Sequence, residues 1–252
     1  MISVTEAQLT DWLSPILWPF FRILAVFTAA PIFSSRAFPV RARIGLAFLI
    51  ALAAQASLTN QQVIGINSPD AFGAVLQQVG VGLAIGFAVR LVFSVFELAG
   101  QVVGFQMGLG FAAFFDPSTS AQSSAMGRFY ANIAALMFLA VNAHVVVLMA
   151  VIRSFEAFPV DQNFLSALQK MQLHTLGAEL FASALWIALP VIGMLMFANL
   201  ALGIVSRVAP QMNIFSVGFP VTLAVGLLGV AATLSMLDQP FMRLMERVLE
   251  IF

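Results

Sequence analysis

The amino-acid sequence predicts an all-α, polytopic helical membrane protein built from long, kinked helices and helical hairpins. Three observations lead there. Apolar residues make up 61% of the 252 positions and charged residues 9%, against roughly 45–50% and about 25% in soluble domains. A soluble fold cannot be covered with so little polar surface, so lipid or other apolar protein must surround most of this chain. The uncharged runs also match the roughly 20 helical residues that cross a hydrocarbon layer of about 30 Å. Finally, prolines and evenly spaced glycines punctuate those runs, as expected of helices that bend and pack closely.

The segments follow in order. The N-terminus carries Glu6 and Asp11 but no basic residue before Arg22. It therefore lacks the basic region of a secretory signal, and the first apolar segment is expected to be retained. That segment, Trp12 to Phe33, holds Pro15, Pro19 and Pro31 and a single charge, Arg22. Ser34 to Arg43 contains Arg36, Arg41 and Arg43, the densest positive cluster, which the positive-inside rule assigns to the cytoplasm. Ile44 to Leu58 is a short apolar run. Ala71 to Phe115 is interrupted only by Arg90 and Glu97. As one helix it would exceed twice the roughly 30 Å of hydrocarbon. It is either a hairpin turning near Arg90–Gly100 or a long helix that leaves the membrane slab. Phe129 to Ile152, Leu180 to Val205 (with Pro190) and Val221 to Leu237 complete six or seven candidate crossings. Between them, Phe164, Leu165, Leu168, Met171, Leu173 and Leu176 have the spacing of an amphipathic surface helix. In the tail, Phe241, Leu244, Met245, Val248, Leu249 and Phe252 form a stripe opposite Arg243, Glu246, Arg247 and Glu250. That pattern fits an interfacial helix or one docked on a partner.

Chemistry is conspicuous by what is missing. There is no cysteine, which excludes disulfides, thiolate metal sites and cysteine nucleophiles. Metalloprotease, nucleophile-elbow and nucleotide-binding signatures are absent, so neither an enzyme nor a cofactor is expected. Eleven basic residues balance eleven acidic ones, leaving no footprint for nucleic acid. His144 reads as a satisfied core residue. Gly82 and Gly86, and Gly100, Gly104 and Gly108, recur every four residues and so share helix faces, either for ordinary packing or as a smooth wall beside a conduit. Arg90 and Glu97 lie two turns apart on one face, where they neutralise each other or a neighbour, or act in an ion relay. With Arg22 they are the candidate intramembrane charges. Gln77, Gln78, Gln101, Gln106, Asn132, Asn142 and Asn199 supply amides for interhelical hydrogen bonds. Ser206–Pro220 reads as an elbow: Pro210 and Pro220 break helix, Gly218 permits positive φ, and Gln211 and Asn213 can bond freed backbone groups.

Several motifs, taken together, resemble the FliR family of flagellar export-gate proteins. They are Trp12, Pro15, Trp18, Pro19 and Arg22; Ala30-Pro31-Ile32-Phe33; Phe38-Pro39 with Arg41, Arg43 and Ile44; Phe114-Phe115-Asp116-Pro117; and Arg207, Pro210-Gln211-Met212-Asn213, Phe215, Gly218 and Pro220. The likeness covers nearly the whole chain.

It implies a FliP-like N-terminal region, residues 1–180, followed by a FliQ-like C-terminal hairpin with an amphipathic tail, residues 181–252. It further implies a hetero-oligomeric helical assembly with FliP-like and FliQ-like subunits, an FlhB-like neighbour, and transient contact with exported flagellar proteins. The expected location is the bacterial inner membrane at the flagellar basal body. The loop of about 110–124 would plug the closed conduit, with Phe111, Phe114 and Phe115 as an apolar gasket beside Asp116, Pro117 and Ser118. A small secondary transporter or channel is the alternative, and should show an internal repeat and converging intramembrane charges.

Overall fold

A computed structural model describes residues 6–55, 64–111, 124–161, 163–171, 176–211 and 213–252. Among them are nine α-helices and no strand. We label the helices α1 (Glu6–Ala29), α2 (Val40–Gln55), α3 (Ala71–Gln106), α4 (Ala125–Ala140), α5 (Ala143–Ala157), α6 (Phe164–Met171), α7 (Leu176–Val208), α8 (Ile214–Thr233) and α9 (Asp238–Leu249). Two 3-10 turns, Leu109–Phe111 and Leu234–Met236, accompany them. The all-α class is as the composition predicts.

The long apolar stretch from Ala71 is one helix, not a hairpin. No proline interrupts α3, and its 36 residues reach about 54 Å at 1.5 Å per residue. It stops just before Gly108, which takes φ 84° in the left-handed region that ends helices. Gly108 therefore lies beyond the helix and does not extend the stripe of Gly100 and Gly104. The run Phe129–Ile152 is divided as well. Asn142 has φ 55°, a conformation that asparagine tolerates better than most residues, and α4 gives way to α5 there.

Among the described residues, Ala71–Gln106, Leu176–Val208 and Ser216–Met236 are long and apolar enough to cross a membrane. Counting α4 and α5 as one broken span makes four. That is fewer than the six or seven expected, because the apolar part of α1 runs only from Leu13 to Ala29 and α2 has 16 residues.

The chain separates into two compact units, each drawn from distant segments. The first comprises Met1–Leu91, Asn142–Leu176 and Met245–Phe252. Here α2 packs along α1 through a narrow stripe of Ala47, Ala51 and Ala54, and Phe20 meets Phe48 edge-on at 6.5 Å. Gly82 and Gly86 of α3 also face α1. A Cβ at Gly82 would fall on the Arg22 carbonyl, and one at Gly86 would lie 2.5 Å from the Ala29 methyl. These glycines are needed for close backbone approach.

The second unit comprises Val92–Val141 and Gly177–Leu244. In it α3 crosses α4 with equal intimacy: a Cβ at Gly100 would strike the Met126 carbonyl, and one at Gly127 would lie 2.9 Å from the Gln101 side chain. Phe241, at the start of α9, closes on Phe96 at 5.5 Å and Phe93 at 6.3 Å.

The tail stripe is buried by the protein itself. Phe241, Leu244, Met245, Val248, Leu249 and Phe252 are all buried, while Arg243, Glu246, Arg247 and Glu250 are exposed. The amphipathic pattern is as the sequence predicts, but its apolar face is covered within the chain, not by a membrane surface or a partner.

Candidate functional site

Arg22 is the largest fully buried side chain, at 0% exposure. It projects from α1 in the first unit, and every partner it has among the described residues is neutral. Its Nε donates to Gln78 Oε1 at 2.9 Å, Nη1 to Ser154 Oγ at 3.0 Å, and Nη2 to the Phe158 carbonyl at 2.7 Å. The guanidinium carbon lies 3.7 Å from the centre of the Phe155 ring, a cation–π distance.

The network continues outward. Gln78 Nε2 donates to Gln77 Oε1, which also accepts from the Asp161 backbone N–H, and Gln77 Nε2 donates to the Pro159 carbonyl. Lys170 bonds the Ala157 carbonyl at 2.8 Å and sits 5.1 Å from the Phe158 ring, and Phe158 also meets Phe252. The turn between α5 and α6 is thus held from α1, α3, α6 and the chain's end. Only arginine offers three divergent donors in one rigid fork.

The sequence marks Arg22, Gln77 and Gln78 as unusual polar residues in apolar runs. Ser154, Phe155 and Phe158 carry no such mark, and a backbone carbonyl has no signature at all.

The expected plug lies mostly outside the described residues: Phe114, Phe115, Asp116, Pro117 and Ser118 are among those not described. Phe111 is placed only as backbone, in the turn after α3. The loop's two roots are well defined within the second unit. On the upstream side, the Met107 carbonyl accepts from Thr222 Oγ1 at 3.3 Å, and Gly226 leaves room for the Met107 side chain. On the downstream side, Ser124 caps α4, its Oγ accepting from the Gly127 N–H at 3.0 Å. Gly104 lies under this cap, where a Cβ would come within 3.4 Å of Ser124 Oγ.

The elbow is shorter than Ser206–Pro220. The helices α7 and α8 are separated only by residues 209–213, so Gly218 and Pro220 lie inside α8. Gly218 does not take positive φ, since Gly108 is the described glycine that does. Pro220 falls in the second turn of α8, past the first four N–H groups that have no intrahelical acceptor, so it removes one helical hydrogen bond without ending the helix. Pro210 and Gln211 form an exposed turn. The Asn213 carbonyl starts the next helix, accepting from the Ser216 N–H and Oγ. Arg207, exposed in the last turn of α7, complements that helix's negative end.

Arg90 is exposed, and Glu97 is half-buried, accepting from Gln101 at a long 3.5 Å. Among the described residues no three His, Asp or Glu side chains stand close enough to share a metal ion.

The arrangement as a whole is a scaffold with unusual surfaces. Large apolar side chains stand in the open along α7 and α8, among them Trp186 at 73% exposure, Phe197 at 76% and Leu228 at 71%. Residues 13–248 match the model of the family described as bacterial export proteins, family 1. The chain belongs to the FliR family of bacterial export proteins. It is 37% identical over 241 residues to the flagellar biosynthetic protein FliR of Escherichia coli K12, covering 96% of this chain and 92% of that one. The FliR protein of Pectobacterium carotovorum is 36% identical over the same shares, and that of Bacillus subtilis 32% identical over 91% and 90%. Family membership and apolar helices together make this a membrane-associated protein of flagellar biosynthesis and export.

Proposed function

We propose that the chain is a non-enzymatic subunit of the flagellar export gate in the bacterial inner membrane, at the basal body. With FliP-like and FliQ-like subunits, and beside an FlhB-like one, it lines the conduit through which unfolded flagellar proteins leave the cell. Residues 1–180 correspond to the FliP-like region and 181–252 to the FliQ-like hairpin.

The observation that carries this reading is the exposed face of α7. Gly193, Met196, Phe197, Asn199 and Leu200 border an open hollow of about 500 Å³. Lipid would accept the apolar members, but an exposed Asn199 amide in their midst calls for a hydrogen-bonding neighbour.

Purification in mild detergent, with the other export genes expressed together, tests it. The subunit should emerge in a large particle with smaller apolar partners. A monomer or dimer that moves a small solute by itself would favour a transporter instead and sink the proposal.

The loop of about 110–124 acts as the plug of this conduit. Aromatic side chains resist wetting, and the small Ser, Thr and Ala residues yield when a chain passes. Deleting Asp116–Ser124 should raise the permeability of cells to small solutes. An unchanged baseline, with the particle still assembled, would contradict the plug role.

A further inference from the structure

The turn joining α1 to α2 combines three features that together specify a ligand. The first is charge. Arg36 and Arg41 are exposed and Arg43 half-exposed, and the sequence contains no acid between Asp11 and Asp70. Among the described residues none of the three has an ion-pair partner, and Arg43 Nε is enclosed without a hydrogen bond. The fourth arginine of that stretch, Arg22, is used in the interior.

The second feature is rigidity. Phe27 stacks on Phe33 at 4.5 Å, and Phe33 meets Phe38 edge-on at 6.2 Å. Backbone bonds from Ser34 to Ala30, Ser35 to Ile32 and Phe38 to Ser35 fold the turn tightly. The arginines are therefore presented on a fixed platform. The third feature is the helix that follows. Apart from the alanine stripe and Phe48, which meet α1, α2 is open and apolar: Val40, Ile44, Leu46, Leu49 and Leu52 are all exposed.

We propose that this turn and the outer face of α2 form a binding surface for anionic phospholipid, headgroups on the arginines and acyl chains along the helix. A phospholipid supplies negative charge and an apolar face side by side, in the same order as this surface presents their complements. A protein partner would have to bring an acidic patch directly beside a greasy groove. A soluble anion would leave the apolar half uncovered.

The full chain, reconstituted in vesicles of phosphatidylcholine mixed with phosphatidylglycerol, tests the proposal. Native mass spectrometry of the released protein counts the lipids it retains. The wild type should retain phosphatidylglycerol preferentially, and R36Q/R41Q/R43Q should lose that preference by about fivefold per arginine. Added salt should weaken the preference in the wild type. The double variant R36Q/R41Q, confined to exposed side chains, guards against misfolding and should give an intermediate ratio. Equal lipid ratios in wild type and variants would overturn the proposal. So would an unchanged ratio accompanied by loss of a copurifying protein, which would assign the surface to that partner.

Discussion

At Arg22 a full positive charge is buried with nothing negative beside it among the described residues, and what makes that tolerable is geometry. Desolvating a guanidinium costs several kcal/mol. Charge-assisted hydrogen bonds of about 1.5–3 kcal/mol each offset the cost, and the Phe155 face adds a cation–π contact. The acceptors are set around a planar fork, on α3, on α5 and on the turn that follows α5. Lysine keeps the charge but cannot reach all three directions. Arg22→Lys should therefore destabilise the purified protein by about 2 kcal/mol, and Arg22→Ala, which strands the acceptors and opens a cavity, by about 3–5 kcal/mol. Thermal unfolding in detergent measures both. A lysine variant as stable as the wild type would show that charge alone matters at this position. This cluster was half legible in the sequence. A lone arginine among prolines and paired glutamines in an apolar run are visible anomalies. Their partners lie 132 and 136 positions away from Arg22, and one of them is a main-chain carbonyl that any residue could supply.

Helix α3 shows how far spacing carries and where it stops. Glycines four apart must share a face, but spacing does not say what that face meets. Gly82 and Gly86 receive α1, whereas Gly100 receives α4, so one helix serves each unit with its own glycine pair. The same periodicity wrongly takes in Gly108, because a glycine that continues a stripe and one that ends a helix look alike in sequence. Likewise Pro220 resembles a breaker in the sequence, yet it lies inside α8, where it removes one helical hydrogen bond without ending the helix. The glycines also separate experimentally. At Gly100 a methyl would strike a backbone carbonyl that cannot rotate aside, so Gly100→Ala should cost about 1–3 kcal/mol. At Gly45, in α2, nothing lies within 4 Å of the added carbon. Gly45→Ala should therefore stabilise by about 0.5–1 kcal/mol through helix propensity alone. Melting temperatures of the two variants should move in opposite directions. A Gly100→Ala variant that melts no lower than the wild type would mean that the α3–α4 crossing is not the close contact described, and a lowered Gly45→Ala would mean that α2 is not open at that position.

For the molecule as a whole, composition settles the fold class because 61% apolar content leaves too few polar residues to cover a soluble surface. It does not settle what covers that surface, since lipid and a partner helix are equally apolar. Truncation distinguishes them. A lipid chain fills whatever space a shortened side chain leaves, so Phe197→Ala on a lipid-facing helix should change little. A packed protein interface cannot refill, and an aromatic anchor lost from its centre costs about 2 kcal/mol or more. Phe197 is 76% exposed beside Asn199 and the hollow on α7, which makes it the position to compare with Phe72, 74% exposed at the start of α3. If partner helices cover α7, Phe197→Ala should reduce the yield of the assembled export particle severalfold while the amount of membrane-inserted chain stays constant. Asn199→Leu should act in the same direction, because it removes the amide such a neighbour would bond. Should both variants assemble at wild-type levels, α7 faces lipid along this stretch, and the partner-covered surface must be sought elsewhere on the chain.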